Sequence, residues 1–302
     1  MTPIQRSSSI ARFFRTLNDI GLLRLQRRVR YELRQRLDHF FPSYLAGRLA
    51  GDCNDFPLWS LVLRDLHAVD LSGSTQSRKQ PTSILFLFLN QPRDLLWPIR
   101  WRNANWPRLW QFHLHYFDWA RECLESALTS GRWSDESSTL ALLIDHWISA
   151  NPCGRGDGWH SYTLSLRIRN WVWLFRFAPH LASSTRLQSL WHQLCWLESH
   201  PESCHGGNHW LENLVALAIG SLQFSGPKAE AMQHRALQLL KRELSSQVLA
   251  DGGHEERSVA YHLLMLDRLV ELGCVLISIQ GTSPDWLKQS IDAMTRWATV
   301  VR

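Results

Sequence analysis

The order of apolar and polar residues along the chain predicts a protein built almost wholly of helices. From about residue 110 onward, apolar side chains recur three and four positions apart, which places them on one face of an α-helix. Leu140, Leu143, Ile144 and Trp147 show this spacing clearly. Five later segments repeat it, beginning at Leu164, Leu187, Leu211, Leu237 and Leu263. Each of these segments is predicted to be an amphipathic helix.

Short turns rich in glycine and proline separate these segments. They lie at residues 151–158, 205–207, 225–227, 251–253 and 281–284. Consecutive helices joined by such short loops pack as antiparallel hairpins. The pattern therefore predicts an all-α fold with seven or eight helices between about residues 112 and 300. Periodicity alone does not choose between an (α/α) toroid and an irregular helical bundle.

The chain ahead of the helices has a different character. A polar stretch from Ser72 to Pro81 is typical of a loop or linker. Residues 82–89 are apolar and β-prone between two prolines, which predicts a short extended segment. We therefore expect an Arg-rich preface and linker over residues 1–80 and a helical domain over residues 81–302.

The positive charge of the chain is concentrated in this preface. Residues 1–48 hold ten arginines and three acidic residues, a balance of +7 within a total of +6, so the remaining 254 residues sum to −1. A chain-wide basic surface of the kind that binds nucleic acid is not expected. No apolar run is long enough for a transmembrane helix, and arginines interrupt the early apolar stretch, so no secretory signal is visible. The compartment stays unassigned.

Three predicted turns concentrate polar side chains, at residues 158–162, 205–213 and 251–262. His205 and His209 have a spacing that could bind zinc on a helix, but Gly206 and Gly207 between them favour a turn. No metal or cofactor is expected. No G-x-S-x-G motif is present to indicate a serine nucleophile.

Two further observations bear on carbohydrate chemistry. Glu255 and Glu256 could serve a glycosidase, although adjacent carboxylates rarely face each other across a substrate. The sequence also holds 16 tryptophans, whose flat rings suit both stacking on sugars and packing in a core. Neither observation decides the function.

Four motifs, taken in order, resemble heparinase II/III-like proteins. They are LWQFHLHYFDW at residues 109–119, GWHSYTLSLRIRNW at 158–171, GNHWLEN at 207–213 and DGGHEERSVAYH at 251–262. The resemblance covers roughly residues 80–300. It implies an incomplete (α/α) toroid and a polysaccharide lyase that cleaves a uronic-acid-containing acidic polysaccharide, similar to heparan sulfate, by β-elimination.

The resemblance also assigns roles to residues. Asn208 matches the amide that neutralises the uronate carboxylate, and Tyr261 matches the tyrosine that removes the C5 proton and then protonates the leaving oxygen. Substrate-binding or supporting roles fall to a further set, namely His209, His262, Arg257, Arg167, Trp159 and Trp171. For the two histidines and two arginines, a structural role is an equal alternative, and for the two tryptophans, sugar stacking and core packing are equal alternatives.

Residues 293–302 look like the middle of a helical segment. Whole family members continue into a C-terminal β-sandwich. The resemblance therefore implies a truncated or split enzyme that is weak or inactive without that domain. A separate chain that carries the β-sandwich would then be its partner. The alternative is a non-catalytic glycan-binding or partner-docking helical domain. An (α/α)-toroid glycosidase is a third reading.

Overall fold

A computed structural model describes residues 81–130, 133–203 and 207–301, together with positions 26, 29 and 33. Within those ranges the chain forms a β-hairpin followed by nine α-helices. The elements are β1 (Ser83–Phe88), β2 (Gln91–Leu96), α1 (Arg108–Tyr116), α2 (Asp118–Ser130), α3 (Trp133–Ala150), α4 (Ser161–Phe177), α5 (Ser184–Ser199), α6 (Gly207–Ser221), α7 (Pro227–Gln247), α8 (Val259–Gln280) and α9 (Asp285–Val300). The predicted all-α fold is confirmed. The preface over residues 1–80 falls almost entirely outside the described residues, and the proposed division at residue 80 stays a prediction.

The predicted extended segment is the first strand of an antiparallel hairpin. Leu89 and Asn90 form a two-residue turn with φ values of 53° and 58°, the left-handed conformation of a type I′ turn. Pro92, which looks like a strand boundary in the sequence, lies within β2, where an edge strand tolerates the missing N–H. Phe88 anchors the hairpin, with its ring centroid 5.0 Å from that of Trp110 on α1.

Helix α6 is the central element of the helical domain. Every residue from Trp210 to Ser221 is buried, and the helix contacts α4, α5, α7 and α8. A helix that is apolar on all sides is stable only when other helices surround it. Its first three residues, Gly207, Asn208 and His209, are only half-buried and emerge at one end of the domain.

Tryptophans form much of the core. Trp110, Trp147, Trp171 and Trp191 are at most 1% exposed. Trp147 and Trp171 meet edge to face with centroids 5.6 Å apart, an arrangement that the ring quadrupoles favour. The high tryptophan content is thus largely a packing property.

Two sequence predictions about the helices need correction. Among the described residues from 108 onward, nine helices form instead of seven or eight, partly because Phe117, with a φ of 63°, separates α1 from α2. In α8, Leu263 and Val270 are 49% and 41% exposed, while Met265 and Leu269 are buried. The helix was correctly located, but two residues of its predicted core face are exposed, because α8 is apolar on more than one side.

Candidate functional site

Three helices begin close together and carry the polar motifs of the sequence. Tyr162 lies in the first turn of α4, His209 in the first turn of α6 and Tyr261 in the first turn of α8. The rings of Tyr162 and His209 stack with centroids 4.3 Å apart. Tyr261 lies near enough to contribute to the electrostatic environment of Tyr162. We call Tyr162, Asn208, His209 and Tyr261 the rim cluster.

Tyr162 and Tyr261 differ in their surroundings. Burial, reinforced by the negative charge of Glu212, raises the pKa of Tyr162 to about 12. Its hydroxyl therefore keeps its proton at neutral pH. Tyr261 is 44% exposed and faces the solvent at the mouth of the cluster. Of the two, Tyr261 is the one that a polymer can reach.

Glu256 holds the first turn of α6. The backbone N–H of Asn208 donates to its Oε1 at 3.0 Å, so the carboxylate caps a helix N-terminus whose N–H groups lack partners within the helix. Gly207 adopts a φ of +56°, and a Cβ at that position would lie 2.5 Å from the same oxygen. The glycine thus allows the carboxylate to approach the backbone closely, and the contact ties Asn208 to the loop that leads into Tyr261.

That loop, residues 251–258, is itself fixed from the core side. The N–H of Glu256 donates to Nδ1 of buried His254 at 3.3 Å, and Nε2 of His254 lies 3.3 Å from Oε1 of Gln247. Burial lowers the pKa of His254, consistent with a neutral ring whose Nδ1 accepts a hydrogen bond. The hydroxyl of Ser258 accepts from the N–H of Tyr261 and caps α8. The loop therefore positions both Glu256 and Tyr261.

Glu202 is a member of the site that sequence reasoning missed. It follows α5, and its side chain is 3% exposed. Its Oε1 lies 3.5 Å from Nδ1 of His209 and 3.8 Å from Nε2 of His160. A sequence signal existed, since His160 stands in the GWHSY motif, but the partner carboxylate lies outside all four motifs.

Below the rim cluster, α2, α4, α6 and α8 share a set of buried charges that we call the arginine–glutamate cluster. Arg169 Nη1 contacts Glu212 Oε1 at 2.7 Å, and Arg268 Nε contacts Glu212 Oε2 at 3.0 Å. Arg169 also pairs with Glu271, which Arg121 approaches at 3.5 Å. A pocket of about 280 Å³ opens over this cluster. Since each arginine has a carboxylate partner, the cluster mainly holds the helices together.

Several predicted supporting residues belong to the core instead. Arg167 is fully buried, donates to Gln193 Oε1 at 2.9 Å and lies 3.9 Å from the ring centre of Trp147, which favours the structural alternative for this residue. His262 is fully buried, with Nε2 3.0 Å from the carbonyl oxygen of Met294 on α9. It therefore contributes to the packing of α8 on α9 rather than to the cleft.

The two predicted stacking tryptophans are also core residues. Trp171 has no exposed surface and packs against Trp147 and Phe117. Trp159 is 7% exposed, and its Nε1 donates to the carbonyl oxygen of Asn151 at 3.1 Å. Neither leaves a ring face for a sugar, which favours core packing over stacking for both residues. Arg257 is exposed on the loop before α8, with a φ of 51°.

Two alternative chemistries find little geometric support. Oε1 of Glu256 is occupied by the Asn208 N–H, and the adjacent Glu255 is anchored through its own N–H to the carbonyl oxygen of Gln247. In the described part of the chain, no group of three His, Cys, Asp or Glu side chains is placed to hold a metal ion. His205 lies outside the described residues.

The described helices include none long and apolar enough to cross a membrane.

The sequence profile described as "Heparinase II/III N-terminus" matches residues 90–297, well over half of the chain. The chain belongs to this family. The match spans all four motifs quoted above.

Solved structures confirm the fold. The crystal structure of Heparinase III superposes with a TM-score of 0.55 at 23% identity, covering 66% of this chain and 32% of that one. The heparan sulfate lyase HepC from Pedobacter heparinus superposes with a TM-score of 0.57 at 17% identity, covering 84% and 43%. The helical domain therefore has the heparinase toroid fold.

Two curated relatives match at the sequence level. FtsZ-localized protein C of Caulobacter vibrioides is 26% identical over 194 residues, which are 64% of this chain and 33% of that protein. The heparin-sulfate lyase of Bacteroides thetaiotaomicron is 27% identical over 165 residues, which are 51% and 23%. The chain thus spans a third or less of the length of either relative.

Proposed function

We propose that this chain forms the helical side of a polysaccharide lyase cleft, which cleaves a uronic-acid-containing polysaccharide such as heparan sulfate by β-elimination. Asn208 is the neutralising amide, and Tyr261 is the base and acid. The observation that carries the proposal is the rim cluster, in which exposed Tyr261 stands near the Tyr162–His209 stack beside Asn208.

The residue types suit this reaction. Removing the C5 proton of a uronate places negative charge on its carboxylate, and a donor held in place lowers that barrier. The side-chain amide of Asn208 is such a donor, and Glu256 fixes its backbone. The phenolate of Tyr261 takes the C5 proton, the C4–O4 bond breaks as the C4=C5 double bond forms, and the phenol returns the proton to O4.

The complete lyase would also need the β-sandwich domain that the resemblance implies, in the same polypeptide or in a separate one. Support comes from α8, where Tyr261, Leu263, Val270 and Ile277 are between 41% and 53% exposed. Exposed apolar surface of this kind commonly marks a protein interface. We expect the 302-residue chain alone to be weakly active or inactive.

The test is ultraviolet absorbance during incubation with heparan sulfate and other uronate polymers, since elimination creates an absorbing double bond. The chain is assayed alone and with a β-sandwich domain from a family member. Tyr261→Phe and Asn208→Asp should each abolish the signal, whereas Asn105→Asp, at an exposed loop amide, should not. Activity that survives Tyr261→Phe in a folded protein would refute the assignment of the base.

A second function, partner docking without catalysis, is favoured by one relative. FtsZ-localized protein C is named for its location with FtsZ rather than for a reaction, and it shares 26% identity with 64% of this chain. If the double bond never forms with any uronate polymer, with or without the added domain, this second function is the better account. Retained polymer binding without product would point to a glycan-binding version of it.

A further inference from the structure

Glu202 is held rigidly at the base of the rim cluster. Its backbone N–H donates to Oδ1 of Asn213 at 2.8 Å. The amide of Asn213 in turn donates to the hydroxyl of Ser165 at 2.9 Å. All three residues are buried. The backbone of Glu202 is therefore fixed against α4 and α6, and its buried side chain starts from a defined position beneath the rim cluster.

Two imidazoles approach the same carboxylate oxygen. Oε1 of Glu202 lies 3.5 Å from Nδ1 of His209 and 3.8 Å from Nε2 of His160. The side chain of His209 is 42% exposed and that of His160 is 25% exposed. One buried negative charge therefore faces two titratable rings, and it cannot stabilise a proton on both equally.

Opposing influences act on His209. It lies in the first turn of α6, where the helix dipole disfavours a cation. The hydrogen bond to Glu202 raises the pKa of His209 despite partial burial. The negative charges of Glu256 and Glu212 act on His209 in the same direction. The carboxylates therefore shift the ring of His209 toward its protonated form.

His160 is shifted the other way. Burial lowers its pKa in spite of Glu202 and Asp157, and the positive charges of Arg108 and His209 lower it further. Its ring packs against Phe112, with centroids 5.4 Å apart. The two histidines share one carboxylate, yet their pKa values shift in opposite directions, and titratable groups whose pKa values are separated in this way take different roles.

We propose that Glu202 is a charge-positioning residue that holds His209 as an imidazolium beside Asn208 and leaves His160 neutral. The inference rests on the proposed function only for its catalytic consequence. A fixed positive charge at the rim attracts the substrate carboxylate next to the neutralising amide. Neutral His160 keeps a lone pair that can accept a hydrogen bond from a sugar hydroxyl.

The direct test is an NMR titration of the histidine rings in the 302-residue chain, with His160→Gln and His209→Gln variants used to assign the signals. We expect His209 to titrate above, and His160 below, the ordinary imidazole value of about 6.5. Glu202→Gln should lower the midpoint of His209. Glu198→Gln, which removes a carboxylate from the same helix end at a contact with Arg235, should leave it unchanged.

Two results would overturn the inference. One is a His209 midpoint that does not move in folded Glu202→Gln. The other, available even if that variant does not fold, is a parent protein in which His160 titrates above His209. Both readouts are independent of lyase activity. If the two histidines titrate as expected but no double bond forms with or without the added β-sandwich domain, the proposed reaction is rejected and the charge assignment stands.

A functional readout follows from the same charge. Affinity for a uronate polymer should fall as the pH rises through the His209 midpoint. Glu202→Gln should weaken binding by up to about tenfold, the effect of losing one charge-assisted contact, at pH values between the His209 midpoints of the variant and the parent, where only the parent carries the charge. Polymer affinity that is identical in the parent and in Glu202→Gln across this pH range would show that the imidazolium does not face the ligand.

Discussion

Glu202 and Glu212 are both buried glutamates that face basic side chains, yet they lie in regions with different tasks. Glu212 has no exposed surface and is matched by Arg169 and Arg268, which stay charged at any physiological pH. Glu202 is 3% exposed and faces His160 and His209, which titrate near neutral pH. The chain uses permanent charges to join helices and titratable charges at the cleft.

The pKa directions express the same contrast. Although burial favours the neutral acid, the charges of Arg169 and Arg268 lower the pKa of Glu212, so it stays ionised within the fold. At the rim, the hydrogen bond that His209 donates to the Glu202 carboxylate raises the pKa of His209, while burial lowers that of His160. A buried ion pair between permanent charges keeps the same charges at every physiological pH. A carboxylate between two histidines has neighbours whose charge depends on pH.

The largest expected effect is on stability, from Glu212→Gln. The change leaves buried Arg169 and half-buried Arg268 with one neutral acceptor at this position, and breaking a buried pair on one side costs roughly 3–5 kcal/mol. The matched change Glu202→Gln should cost less than about 1 kcal/mol, because its partners lose their charge more readily and His209 is partly solvated. Denaturant unfolding at pH 7.5 measures both, and equal costs would contradict the division between the two regions.

The next effect concerns a core histidine, His115, which contrasts with His209 at the rim. Burial, with help from Arg167, lowers the pKa of His115 to about 3, and its Nδ1 accepts from Trp147 Nε1 at 2.9 Å. The unfolded chain binds this proton near pH 6.5 and the folded chain does not. The stabilising contribution is therefore full above pH 6.5 and is lost as the pH falls toward 3.

Between pH 6.5 and 4.5 this single group should remove about 2–3 kcal/mol from the free energy of unfolding. His115→Asn places an amide oxygen near the position of Nδ1 and cannot titrate, so its stability should fall less steeply over that range. His234→Asn, at an exposed site on α7, is the matched control. Parallel stability curves for the parent and His115→Asn would show that the buried ring is not the acid-sensitive group.

The helices could be predicted from the sequence because their apolar spacing is dictated by burial on one face. Leu164 and Leu211 mark such faces, and both are buried in α4 and α6. The method failed where the chain is apolar on more than one side, as at Leu263 and Val270. It also missed β2, because Leu89 is an unusual residue for a left-handed turn position and Pro92 resembles a strand end.

The site was predictable only in its parts. Asn208, His209 and Tyr261 stand in recognisable motifs, and the structure places His209 and Tyr261 around Tyr162. Nothing local distinguishes a motif arginine or tryptophan that enters the core from one that reaches the surface, which is why the sequence left both roles open for Arg167 and Trp171, both of which are buried. Glu202 could not be found at all, since its role depends on distances across three elements.

The smallest expected stability effect separates backbone strain from a specific contact at Gly207. Gly207 and Gly281 both have positive φ values, +56° and +77°, but a Cβ would meet Glu256 Oε1 at 2.5 Å in the first case and nothing within 4 Å in the second. Alanine at either position should cost about 1 kcal/mol for the conformation alone. Because Glu256 is exposed and can move aside, Gly207→Ala should add only a few tenths of a kcal/mol for the lost cap.

The two alanine variants should differ at the cleft rather than in stability. Displacing Glu256 frees the N–H of Asn208 and loosens the first turn of α6, so Gly207→Ala should shift the amide NMR signals of Asn208 and His209 and weaken polymer binding. Gly281→Ala, at the far end of α8, should leave both unchanged. If the two variants leave Asn208 equally undisturbed, Glu256 caps the helix without positioning the amide, and the link between the loop before Tyr261 and Asn208 has no consequence for the site.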